Sequence, residues 1–376
     1  MPAPRKKSKK ASVFSHEFII TNHGDIVSCI CMVFMIGLLF KTTQKVASVF
    51  VAPQHNITRF NNDTNEPEEV HYGVGKKDIC TIFFYTLAWI VIHAIIQEYI
   101  LDKINRKFHL SKTKISRFNN LGGHIPFYFA SAAWGADIIL KEGLLPKLSN
   151  LWHEYPHAEM TFIVKFYFLL QIAYWIHCFP ELYFLKAKKE ELVPRVNVYL
   201  QYLVILIPAY VCNFTRLALV CFVIHYFVEF LFNSFKILNY MGKTETTKNI
   251  LMFIWGLLYA AVRVAIIILS IVTIWIGLPK QESSDRYDIV PNFNKKPLRV
   301  IFLCGIILMQ AWLTWIFISH QVSYWSDVVQ SKRQRSAKKK EVKKKGKGQK
   351  KPAAVEQDGD ADDEEQPIVN GKEKLS

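Results

Sequence analysis

Blocks of about twenty apolar residues, separated by short polar loops, recur between residues 26 and 318, and few folds are open to such a chain. In hydrocarbon every backbone N–H and C=O must be satisfied within the protein, which a helix does inside a single block. The blocks are continuous in their apolarity and do not alternate, which selects helices. The expected fold is therefore all-α: a polytopic membrane protein of about eight transmembrane helices. The spans fall near 26–40 (reaching to Val51 if the run continues past Lys45), 79–99, 125–140, 160–185, 196–212, 217–235, 250–276 and 298–318.

Charge orients these spans. The formal net charge is +16, and its excess lies in the termini and in alternate loops, such as Lys103 to Arg117 and Lys186 to Arg195. That is the positive-inside pattern, and it places both termini in the cytosol. The loop with Lys280, Arg286, Lys295 and Lys296 runs against the rule and is outvoted by the others. Because topology accounts for the basic excess, no DNA partner is implied. The seven cysteines form neither a disulfide framework nor a CxxC metal pair. The first span lacks a small-residue cleavage site and reads as a retained signal-anchor.

Four regions follow. Residues 1–25 form a basic cytosolic arm, and 26–116 hold the first two helices with a lumenal loop carrying the sequons at Asn56 and Asn62. Residues 117–323 hold six helices, in which the sequon at Asn213 is too close to the membrane for use. Residues 324–376 are a tail, basic from Lys332 to Lys351 and acidic from Asp358 to Glu365, expected to be disordered because neither run can bury apolar surface. The basic run can dock on anionic surfaces, either ribosomal RNA or acidic lipid headgroups. Lys372 and Lys374, five and three residues from the end, match a dilysine retrieval signal.

Polar residues inside the spans are the candidate site. Tyr174, His177 and Glu181 share one helical face, and Pro180 between the last two removes a backbone donor. The pairs His93 with Gln97, His177 with Glu181 and His225 with Glu229 repeat an i, i+4 spacing in the later halves of three lumen-to-cytosol spans. Arg263, near the middle of its span, needs protein or water around it, and Glu181 or Glu229 is the expected partner. Such groups can glue helices together, line a polar cavity for lipid headgroups or a polypeptide segment, or do chemistry. The absence of a nucleophile motif, phosphate loop or HExxH from the sequence argues against the last, so no catalytic residue, metal or cofactor is expected.

Four stretches resemble the translocating chain-associated membrane protein family: SHEFIITNHGDIVSC (15–29), HAIIQEYILDKINRKFHLSKTK (93–114), AYWIHCFPELYF (173–184) and HYFVEFLF (225–232). The resemblance implies a TLC-type helical bundle over 117–323. It further implies residence in the endoplasmic reticulum membrane beside the Sec61 translocon, contact with signal sequences and transmembrane segments of nascent chains, and a glycan on Asn56 or, second, Asn62. Ceramide synthases share this domain and carry an adjacent histidine pair. Here Val196 to Tyr199 contain no histidine, and His225 is followed by Tyr226, which argues against an acyltransferase. A lipid-binding or lipid-transferring protein is the alternative.

Overall fold

The computed structural model describes residues 15–60, 67–109, 112–187, 189–240, 245–281 and 293–347. Lys6 to Lys10, Asn62, Arg286, the acidic run Asp358 to Glu365, and Lys372 and Lys374 lie outside them. The chain divides into two units, Met1–Ile316 and Phe317–Ser376.

Among the described residues, six helical stretches are long and apolar enough to cross a membrane: Asp78–Phe108, Phe162–Phe184, Lys189–Val211, Thr215–Leu238, Glu245–Gln281 and Lys296–Lys338. They coincide with the expected second and fourth to eighth spans. The other two expected spans differ in kind. Helix α1 (His16–Thr21) leads into α2 (His23–Gly37), whose 15 residues make only about 22 Å against a hydrocarbon core of about 30 Å. The chain then turns at Leu38 and Leu39, fastened by Thr43 Oγ1 donating to the Gly37 carbonyl at 2.8 Å. It restarts as α3 (Lys41–Val51), so the first apolar run is a broken helix and not a single long span. The third expected span lies within a longer helix described below.

The polar loop after α3 folds into a hairpin, β1 (Asn56–Phe60) antiparallel to β2 (Pro67–Tyr72), with Asn56 opposite Tyr72. Tyr72 exchanges backbone hydrogen bonds with Met160 at 2.8 and 3.0 Å, which pins the hairpin to the loop between two later helices. The sequon Asn213 sits at a left-handed turn (φ 61°) and is only 5% exposed.

Helix α4 (Asp78–Ile95) continues through a widened π-helical turn, Ile96–Leu101, into α5 (Asp102–Phe108). Helix α6 (Lys112–Lys141) is 30 residues long and carries Asn119, Asn120, His124 and an exposed Asp137–Lys141 ion pair at 2.7 Å. Its inner face is small and aromatic, and it lies along α9 (Thr215–Tyr240). The approach is close enough that a Cβ on Gly135 would overlap Val223. This is the small-residue contact by which membrane helices pack without a hydrophobic driving force between them.

Helix α7 (Phe162–Phe184) is the centre of the bundle, with Tyr167, Phe168, Leu169, Ala173 and Trp175 fully buried. It packs against α4 and α8 (Lys189–Val211). Helix α10 (Glu245–Ser270) runs on through a π segment to Gln281. Helix α11 (Lys296–Lys347) includes the first part of the basic tract expected to be disordered. The helix reaches this far for a local reason: from Leu298 to Lys345 the sequence holds no proline and only Gly305, and Lys, Arg, Gln and Ala all tolerate helix well.

One loop group supports a pH test. His157, before α7, is buried and its Nε2 donates to the His153 carbonyl at 2.9 Å. Burial, reinforced by Arg216, holds its pKa down from 6.5 to about 3. The unfolded chain therefore takes up a proton near pH 6.5 that the folded chain refuses. The stability from this group is present above that pH and lost as pH falls. Between pH 7 and 5 the loss should reach about 2 kcal/mol. A chemical unfolding series over this range should show the slope in the parent protein and a flatter one in His157→Gln.

Candidate functional site

Two polar clusters occupy the bundle, separated by a sheet of aromatic rings. The first joins α4, α6 and α7. His177 is fully buried, and its Nδ1 donates to the carbonyl of Tyr174, one turn earlier. Since Nδ1 carries the hydrogen, Nε2 presents a bare lone pair, and it has no partner. Glu181, 6% exposed, faces His93 Nε2 across 3.5 Å through one carboxyl oxygen, while its other oxygen is buried without a partner. The rings of His93 and His177 are 5.7 Å apart, and Trp89 stacks beside His177 at 6.2 Å. Tyr174 lies flat on Phe127 at 3.3 Å, and its hydroxyl meets His124 Nδ1 at 2.6 Å.

Tyr174, His177, Glu181 and His93 thus come together. Gln97 does not join them. The π turn beginning at Ile96 rotates it off the His93 face, and its amide donates to Asp102 Oδ1 at 2.8 Å. His124 completes the cluster and was missed. Its only sequence signal was a histidine after Gly122 and Gly123, where a Cβ on Gly123 would lie 2.9 Å from the His93 ring.

The second cluster joins α8, α9, α10 and α11. Arg263, 3% exposed, donates through Nη1 to Gln310 Oε1 at 3.0 Å and through Nη2 to His225 Nδ1, with the Tyr259 ring 4.5 Å from its guanidinium carbon. An arginine only donates, so His225 Nδ1 accepts, Nε2 carries the hydrogen, and that hydrogen goes to the Tyr202 hydroxyl at 2.8 Å. The expected pairing of Arg263 with Glu181 or Glu229 is corrected. Glu181 belongs to the first cluster, and Glu229, one turn beyond His225 on α9, senses Arg263 electrostatically without an ion-pair contact. A fixed charge at this depth costs on the order of 3 kcal/mol on insertion scales, and neutral acceptors carry it here.

Between the clusters Trp175 stacks on Tyr202 at 3.6 Å and donates its indole N–H to the Tyr226 hydroxyl at 3.1 Å. The three His-plus-four pairs therefore do not make one polar face. His93 and His177 converge, and His225 serves Arg263. Among the described residues no group of three or more His, Cys, Asp or Glu side chains is placed to hold a metal ion.

Residues 117–319 match the family of the TLC domain. Translocating chain-associated membrane protein 2 of Homo sapiens is 39% identical over 323 residues, covering 86% of this chain and 86% of that one, and the Mus musculus protein of the same name matches to the same extent. A ceramide synthase of Gibberella moniliformis is 25% identical over 216 residues, 57% of this chain and 50% of its own length.

Proposed function

Because the chain belongs to the translocating chain-associated membrane protein family of TLC-domain proteins, we propose that it is an endoplasmic reticulum translocon accessory. In this role it contacts signal sequences and transmembrane segments beside Sec61 and assists their translocation or insertion. The observation that carries the proposal is the likeness to the two relatives, which extends over 86% of the chain and so takes in the bundle outside the TLC domain as well. The orphaned acceptors His177 Nε2 and Glu181 Oε2 fit the same role. A buried acceptor without a donor costs about 1–3 kcal/mol, a cost that a donor brought by a client segment relieves. Its membrane is that of the endoplasmic reticulum, with both termini cytosolic, a glycan on Asn56, and the basic run from Lys332 as a ribosome or lipid contact.

Clients should meet α4 before they reach the acceptors of α7. Ile79, Phe83, Ile92 and Ile95 of α4 face outward, whereas α7 is enclosed. A photoreactive residue in a signal sequence on ribosome-bound nascent chains in microsomes should crosslink to this outer face of α4. No adduct at any nascent-chain length would sink the proposal.

The ceramide synthase similarity favours a second reading, a lipid-handling protein of the same fold. The double variant His177→Leu with Glu181→Leu separates them, since loss of lipid exchange with crosslinking intact would select this one.

A further inference from the structure

Arg263 is a buried charge whose direct contacts are all to neutral groups, with Glu229 near but not touching it. Gln310 offers an amide oxygen, His225 is fixed as the neutral imidazole by its bond to Tyr202, and Tyr259 offers a ring face. The guanidinium Nε has no partner. None of the ion pairs His93–Glu181, Lys141–Asp137, Lys165–Asp78 and Arg195–Glu191 includes Arg263. Buried charges in folded proteins are ordinarily paired or neutralised, so a mid-span arginine with a spare N–H lacks the contacting carboxylate it would ordinarily have.

The surroundings say how one arrives. Gln310 is buried on α11, while Ile301, Leu308, Trp312 and Trp315 of the same helix face outward, and a Cβ added at Gly305 would meet nothing within 4 Å. The amide of Gln310 has the shape of a carboxylate without its charge. A carboxylate entering from the lipid side replaces it at Nη1, turning a bond to a neutral amide into a charge-assisted one.

Resting on the translocon-accessory reading above, we propose that Arg263, with Gln310 as a neutral placeholder, is the docking point for transmembrane segments that carry an Asp or Glu near mid-span. It sets the class of client. An acidic segment finds a counterion in the bilayer, whereas a segment with a central lysine is repelled by the same group.

The test uses the full chain in microsomes and ribosome-bound nascent chains with a Leu-rich span bearing Leu, Asn, Asp or Lys at its centre and a photoreactive residue one turn away. The Asp client should crosslink about tenfold more than the Asn client, the ratio that 1.4 kcal/mol gives. Arg263→Lys should keep most of that preference. Gln310→Glu should abolish it by supplying a carboxylate from within, in a variant whose own ion pair favours folding. Equal yields from Asp and Asn clients in the parent protein, or an unchanged preference in Gln310→Glu, would overturn the proposal and leave the broader function standing. Failure of every client to crosslink, the Leu span included, would remove the broader function and this proposal with it.

Discussion

Lys165→Met is expected to destabilise the bundle by about 3–5 kcal/mol, the usual penalty for breaking one side of a buried ion pair. Lys165 is 0% exposed on α7. Its ammonium sits in an ion pair 2.7 Å from Asp78 Oδ1 and donates at 2.6 Å to each of the Gln54 and Gly73 carbonyls. The other oxygen of Asp78 accepts from the Tyr210 hydroxyl at 2.8 Å and the Gly75 amide at 2.9 Å. One knot thus ties α7, the start of α4, the end of α8 and both ends of the hairpin. Methionine fills the same volume, so the loss comes from the charge and carbonyls left behind and not from a cavity. Asp78→Asn should cost a comparable amount. The double variant should cost much less than the sum of the two, because no unpaired charge remains. Denaturant titration in micelles measures all three. A loss below 1 kcal/mol for Lys165→Met would mean that water already reaches the pair.

Helix existence was legible in the sequence, because an apolar block of twenty residues has one way to satisfy its backbone in lipid. Less legible were the interruptions. The break after Gly37 is fastened by the Thr43 hydroxyl, a local bond that an apolar pattern does not signal, and α6 is set by glycines whose meaning appears only when α9 lies against them. The candidate site was half legible. Periodicity places His177 and Glu181 on one face and brings His93 to them. It assumes a uniform helix, so it misplaced Gln97 beyond the π turn. Lys165 lay in plain view as a charge inside an apolar run, yet its partner is 87 residues away in sequence, at a helix start that reads as loop. Partners of Arg263 were likewise hidden, since a glutamine and a histidine accept as well as a carboxylate and carry no charge to signal it.

Glu181→Met is expected to raise stability by about 1–3 kcal/mol while lowering client crosslinking several-fold. The two effects have one cause. The carboxyl of Glu181 has one oxygen at 3.5 Å from His93 and one with no partner, so its weak pairing does not offset the cost of burial. Replacing such a group by an apolar one of similar shape removes the penalty and leaves packing near that of the parent. If Glu181 and His177 only held helices together, the sign would reverse, because removing glue loosens what it joins. Helix glue would also have both carboxyl oxygens and the His177 Nε2 engaged, whereas two of these three atoms have no partner. Groups kept at a cost in stability are the ordinary mark of a site retained for use. Unfolding midpoint and crosslinking yield, measured on the same preparation, therefore discriminate between the two roles. A less stable variant with undiminished crosslinking would assign this cluster to architecture alone.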